Sequence, residues 1–348
     1  MFIIVLHHYA VHGIRHITNI EMRDIWLTGN NLNKIYTSFL MPGGSIGVGI
    51  FFLLTGYFMY GGIYKIHRLV KLLIEVYFYS FIILIIFWIL KLFNIYNFPE
   101  IKTKTQLIFI INTIIPITSG NWWFIQSYFI LFLFIPIINK YIKKLNKKNS
   151  IIMIIFVWLF WYSTTIFSFT YSNLQQAVFF YILGAQIKIR NFKINKWISL
   201  TLIISIWILF SFVDIKYTEL VNNETIKEVV LKLIYKSLKT SVFVPVIVVS
   251  FFDFFRNLKI NNNKYINIIA STTFGIYLFH DSDVGRQFIW DYIVRCLDVQ
   301  YKSPFFPILS VISSIIVFGI LSGFDYLRHT LFEEKYMLFI NKILKKIF

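Results

Sequence analysis

Two adjacent histidines close a short apolar run at the start of the chain, in MFIIVLHHYAVHG. Histidine exchanges a proton near neutral pH more readily than any other side chain. At helix depth, His7 or His8 can take a proton from a hydroxyl and help it attack an acyl carbonyl. The structural alternative is an interfacial imidazole bonded to a neighbouring carbonyl. Being adjacent, His7 and His8 cannot offer two metal ligands on one helix face. With Cys296 as the only cysteine, a thiolate site and a disulfide framework are also excluded, and no metal is expected.

Other polar groups stand in apolar surroundings, where an ionisable side chain is costly and reads as functional by default. They are Glu75 in KLLIEVYFYS, Tyr277 and His280 in FGIYLFHD, and Asp325 in SGFDYLR. Arg68 and Lys71 lie three residues apart in IYKIHRLVKLL, hence on one helix face. Two cations so placed suit a phosphorylated donor, and equally suit ordinary anchoring at a membrane surface. Lys232, Lys236 and Lys239, preceded by Glu228, form a stripe that reads as the wet extension of a helix. Trp122 and Trp123 read as interfacial anchors or as a sugar platform. Gly43 and Gly47 fit a small-residue helix contact, although the early glycines also suit a loop. No G-K-[ST], G-x-S-x-G or H-E-x-x-H follows any of these features, so a phosphate loop, a serine-hydrolase elbow and a zinc protease are excluded.

The elements that must hold these groups are membrane helices. Hydrophobic residues make up 57% of the 348, and charged residues 14%. A soluble chain carries about 45–50% and about 25%. Runs long enough to span, about 17–25 residues, are 37–61, 69–95, 121–139, 151–169, 197–213 and 303–324. Shorter or more polar candidates are 174–187, the apolar end of 229–252, and 265–280, whereas 105–118 reads as an interfacial or re-entrant piece. With the opening run included, the expectation is one all-α polytopic domain of about ten helices over 1–348. Loops 62–71, 140–149, 188–196 and 253–264 and the tail from 328 carry +17 of the net +18. Lysine and arginine stay on the cytoplasmic side. Both termini are therefore expected in the cytoplasm of a cell whose plasma membrane holds the protein, with 12–36 and 281–302 outside. The net charge is thus a membrane signature and points to no nucleic acid.

Six segments in order resemble the acyltransferase-3 family of bacterial integral membrane acyltransferases. They are FIIVLHHYAVHG, GGSIGVGIFFLLTGYFM, IYKIHRLVKLLIEVYFYS, NWWFIQSYFILFLFIPIIN, STTFGIYLFHD and SGFDYLR. The resemblance implies transfer of an acyl group, acetyl in the first instance, from a cytoplasmic acyl-CoA to a hydroxyl of a cell-surface polysaccharide or its precursor. It implies His8, with His7 beside it, as the catalytic base. It implies Arg68 and Lys71 as donor-binding, with lysine replacing the second arginine of the family's pair. Glu75, Trp123, Tyr277 and His280 are candidates to line the substrate path. The family's first-helix motif sets an arginine ten residues from the histidine, which in this register falls about three residues before Met1. Only six residues precede His7, about 9 Å of rise at ~1.5 Å each, so the first helix is expected to be clipped. The rival reading is a transporter or flippase for a polysaccharide precursor. Paired halves with matching broken helices would mark it, and none is evident.

Overall fold

A computed structural model describes residues 1–15, 29–93, 103–117, 122–167, 172–220, 243–258, 261–333 and 335–338, with 230, 233, 234, 237, 238, 340 and 342. The described residues are helical, and no strand occurs among them. The chain opens with α1 (Phe2–His8), which widens into a π-helical turn over Tyr9–Ile14. There follow α2 (Asn31–Leu40), α3 (Gly43–Met59), α4 (Ile66–Leu92), α5 (Thr103–Ile114), α6 (Trp123–Ile142), α7 (Lys147–Ile166), α8 (Ser172–Arg190), α9 (Lys196–Leu220) and α10 (Phe243–Arg256). Two short helices, α11 (Lys264–Ser271) and α12 (Thr273–His280), lead to α13 (Asp283–Arg286), π-helical stretches Gln287–Ile293 and Cys296–Gln300, and α14 (Phe306–Arg328).

Six stretches are long and apolar enough to cross a membrane: Asn31–Met59, Ile66–Leu92, Trp123–Ile142, Lys147–Ile166, Lys196–Lys216 and Phe306–Leu338. Each contains most of one of the six clear apolar runs. A helix is the natural answer there, because it satisfies its own backbone in lipid. Large side chains face outward along them, including Ile152, Ile155 and Phe156 on α7 and Ile308, Ile312 and Ile316 on α14. The architecture is that of an all-α polytopic membrane protein.

Several differences from the sequence reading have local causes. Asn31–Met59 is two helices, since Pro42 has no N–H to continue the ladder. Gly43 and Gly44 belong to α3 and not to a loop. Run 265–280 breaks at Thr272 into α11 and α12. Segment 281–302, read as an outer loop, is largely folded, and Trp290, Cys296 and Tyr301 within it are buried. The first helix is short, but Phe2–Ile14 continues without interruption through its π turn. Glu228, Lys232, Lys236 and Lys239 lie outside the described residues, as does most of 12–36.

Internal contacts group the chain into two compact units whose boundary falls inside α6. One comprises 29–64 and 127–260. In it α3 and α8 cross closely: a Cβ on Gly56 would fall on the Tyr181 carbonyl, and one on Gly184 on the Leu53 carbonyl. Small residues permit that approach. The other comprises 1–28, 65–126 and 261–348, and it holds every group singled out above for chemistry. There α14 packs against α1 and α12, while α4 packs against α5 and α12.

Candidate active site

The first helix is fixed from both ends. Phe2 meets Phe318 of α14 edge-on, ring centroids 5.9 Å apart. Buried Tyr9 packs on Trp290 and Phe306 and donates from its hydroxyl to Gln300 Oε1 at 2.7 Å. Gly13 permits the closest approach, because a Cβ there would lie 2.7 Å from Cys296 Sγ. The folded 281–302 segment is what positions the histidines of the first helix.

His8 is the last residue of α1, and His280 is the last of α12. His8 Nδ1 lies 2.9 Å from His280 Nε2, and His280 Nδ1 lies 2.6 Å from the Ile276 carbonyl oxygen. A carbonyl only accepts, so the His280 proton is assigned to Nδ1. With one proton per ring, His280 Nε2 then accepts and His8 Nδ1 donates. This leaves the lone pair on His8 Nε2, which bonds no other group among the described residues. Packing and hydrogen bonds thereby set the tautomer of the proton-accepting nitrogen, the logic by which catalytic histidines are oriented.

A carboxylate stands beside this pair. Asp281 Oδ1 is 3.5 Å from His8 Nδ1 and 3.6 Å from His12 Nε2. Arg286 donates to the same oxygen through Nε and a terminal nitrogen, each at 2.9 Å. Burial alone would raise the Asp281 carboxyl. The nearby His8, His12 and Arg286 prevail and hold it well below the usual carboxylate range. A fixed negative charge therefore faces the imidazole that gains a positive one when it accepts a proton.

His8, His12 and Asp281 also bring three possible ligand atoms within 4.8 Å of one another. The sequence reading weighed only the adjacent pair. His12 stands four residues after His8, with ring centroids 4.8 Å apart. A cation there would share its carboxylate oxygen with the Arg286 guanidinium already in contact with it, and like charges so close repel strongly. The donor set suits proton transfer better than metal binding.

A second polar cluster lies at the other end of α12. Arg328, fully buried, donates from Nε to Asp325 Oδ1 at 2.6 Å and from one terminal nitrogen to Glu75 Oε1 at 3.0 Å. Its other terminal nitrogen reaches Glu333 Oε2 at 3.1 Å and the Tyr336 hydroxyl at 2.9 Å. The Tyr79 hydroxyl donates to Asp325 Oδ1 at 2.7 Å. Gly275 lets α12 pass over this cluster, since a Cβ would fall on Asp325 Oδ1 and the Tyr79 hydroxyl.

The remaining candidates separate accordingly. Glu75 belongs to the Arg328 network. Lys71 is ion-paired with Glu333, whereas the Arg68 side chain is exposed and makes no ion pair among the described residues. Tyr277 is buried, with its ring 6.4 Å from that of His280 and 5.2 Å from Phe124. Trp123 is half-buried at the start of α6 beside Phe124, and it is Trp122 that is buried. His7 lies next to His8, ring centroids 5.6 Å apart, but the bond to His280 is made by His8.

A histidine held by hydrogen bonds with one nitrogen left open is suited to accept a proton. A family model described as an acyltransferase domain matches residues 1–323. The chain belongs to the acyltransferase-3 family. No curated protein and no solved structure matches it. As a membrane acyltransferase of this family, it places five of the six resembling segments inside the matched region, while SGFDYLR crosses its end. The sequence reading missed His12, Tyr79, Arg286, Arg328 and Glu333. The four-residue step from His8 to His12 and the three-residue step from Asp325 to Arg328 were signals available for two of them. Tyr79, Arg286 and Glu333 gave no comparable sign.

Proposed function

We propose that the protein transfers an acyl group, acetyl in the simplest case, from an acyl-CoA to a hydroxyl of a cell-surface polysaccharide or its precursor. The observation that carries this reading is the chain from the Ile276 carbonyl through His280 to His8, which leaves His8 Nε2 ready to accept a proton. The acceptor hydroxyl gives its proton to Nε2 as its oxygen attacks the thioester carbonyl. The carbon–sulfur bond breaks, and the proton passes from His8 to the departing CoA thiolate. Asp281 offsets the transient imidazolium charge. General-base assistance of this kind contributes about 10²–10⁴-fold.

Arg68 and Lys71 meet the phosphates of the donor on the cytoplasmic side. Arg68 is the freer of the two, and Lys71 divides its charge between the phosphate and Glu333. Trp123 and Tyr277 lie toward the acceptor path, while Glu75 acts through the helix contacts it stabilises. Orientation follows the loop charges, with both termini cytoplasmic. Family membership favours this over the transporter reading.

The test uses the purified full chain with radiolabelled acetyl-CoA and isolated cell-surface glycan. Label should enter the glycan as an alkali-labile ester, and His8→Ala should abolish it without lowering thermal stability. Undiminished transfer by His8→Ala would refute the assignment. Glycan translocation into vesicles without esterification would favour the transporter.

A further inference from the structure

The unit formed by 29–64 and 127–260 contains none of the residues of the candidate active site, yet it carries a feature of its own. Helices α7 and α8 run antiparallel, so the start of one lies beside the end of the other. The Arg190 guanidinium accordingly donates to Ser150 Oγ at 3.2 Å. On α7, Lys147, Ile151, Ile154 and Trp158 follow at steps of four, three and four. On α8, Arg190, Gln186, Leu183 and Phe179 follow at the same steps in reverse. Such steps put each set on one helix face. Both stripes are cationic at the same end and apolar beyond it.

Between them lies a continuous groove. An apolar cleft of about 530 Å³ is lined by Trp158, Phe179, Leu183 and Val249 among others. It shares Leu183 and Val249 with a cleft of about 520 Å³ that ends on Lys147, Ser150, Gln186 and Arg190. No carboxylate lines either. From Lys147 to Trp158 the helix rises about 16 Å, close to half of a ~30 Å hydrocarbon core.

Gln186 gives the decisive second observation. It is 5% exposed, and neither its amide nitrogen nor its amide oxygen has a hydrogen-bond partner. A buried amide left unsatisfied is rare in a folded chain and asks for an explanation. Gln186 lies one turn deeper than Arg190, where the first polar atoms below a lipid phosphate would sit. A short acyl donor would leave the apolar part of the groove unfilled, so the shape argues for a long-tailed ligand.

We infer that this groove binds one phospholipid with an anionic headgroup, drawn from the leaflet at the lysine-rich face. The phosphate lies between Lys147 and Arg190. The Gln186 amide nitrogen donates to an ester carbonyl, its oxygen accepts from a headgroup hydroxyl, and an acyl chain lies over Leu183 toward Trp158.

Native mass spectrometry of the full chain in detergent, titrated with phosphatidylglycerol or phosphatidylcholine, tests the site independently of acyl transfer. One phosphatidylglycerol should be retained in preference to phosphatidylcholine. Lys147→Gln and Arg190→Gln, both at exposed positions, should each weaken it about fivefold, the effect of one basic side chain at a membrane surface. Gln186→Leu should weaken binding while raising the melting temperature of the lipid-free protein, an outcome that misfolding cannot mimic. Equal retention of the two lipids, or binding unchanged in Lys147→Gln/Arg190→Gln, would overturn the inference. So would displacement by glycerol 3-phosphate at concentrations similar to those of the lipid, which would mark a free-anion site.

Discussion

The two ends of α12 hold polar clusters of opposite character. At Gly275 the helix passes over Asp325 and Tyr79, beside Arg328, whose nitrogens are taken up by Asp325, Glu75, Glu333 and Tyr336. At His280 it meets His8, whose Nδ1 is engaged and whose Nε2 is not. In an apolar medium a charge survives only if surrounded by partners, and such a cluster holds helices together. A neutral ring needs fewer partners, so it can keep one nitrogen in reserve for a reaction. The contrast is between a buried cation whose nitrogens are all engaged, which ties helices together, and a neutral ring that keeps one nitrogen open.

That contrast can be broken at several points. The largest effect should come from Arg328→Leu, which leaves buried Glu75 and Asp325 without their cation, while Glu333 keeps Lys71. Removing one partner of a buried ion pair costs about 3–5 kcal/mol, so yield and melting temperature in detergent should collapse, with Arg328→Lys recovering part of both. His8→Ala should do the reverse, lowering transfer by about 10²–10⁴-fold at nearly unchanged melting temperature. If Arg328→Leu stays folded or His8→Ala unfolds, the division between the clusters fails.

Smaller effects sharpen it. His280→Leu removes the acceptor for His8 Nδ1–H and should lower kcat about 10–100-fold, the range seen when an orienting partner is lost. His280→Gln retains an acceptor and should recover much of the rate, with a pH–rate profile closer to that of the parent. Equal loss in both variants would reduce His280 to packing. Gly275→Ala forces a methyl onto Asp325 and Tyr79 and should destabilise by about 1–3 kcal/mol. The smallest separation is within the cationic pair. Arg68→Ala should raise the KM for acyl-CoA, whereas Lys71→Ala should chiefly cost stability, within about 1 kcal/mol for a partly exposed ion pair.

Much of this was legible in the chain. Apolar runs located the six long apolar stretches found among the described residues, because lipid leaves a backbone few alternatives. His8, His280 and Glu75 were marked by being polar where neighbours are not. Other features were hidden for physical reasons. Arg328 sits at the end of a helix, where an arginine ordinarily snorkels to water, and nothing nearby in sequence showed that Glu75, 253 positions away, would claim it. The 281–302 segment has mixed polarity and no long apolar run, so its fold escaped the criterion that found the spans.

The sequence by itself determined the membrane class, the family, the basic loops and the pair of histidines near the front of the chain. Those properties reside in composition and in spacing along single helices. Only the tertiary structure decided which histidine nitrogen is open, that Lys71 is already paired, and that two stripes on α7 and α8 form one groove. The reason is that hydrogen-bond saturation is a property of encounters between residues distant in the chain. His8 and His280 are 272 positions apart, and no local pattern records their meeting.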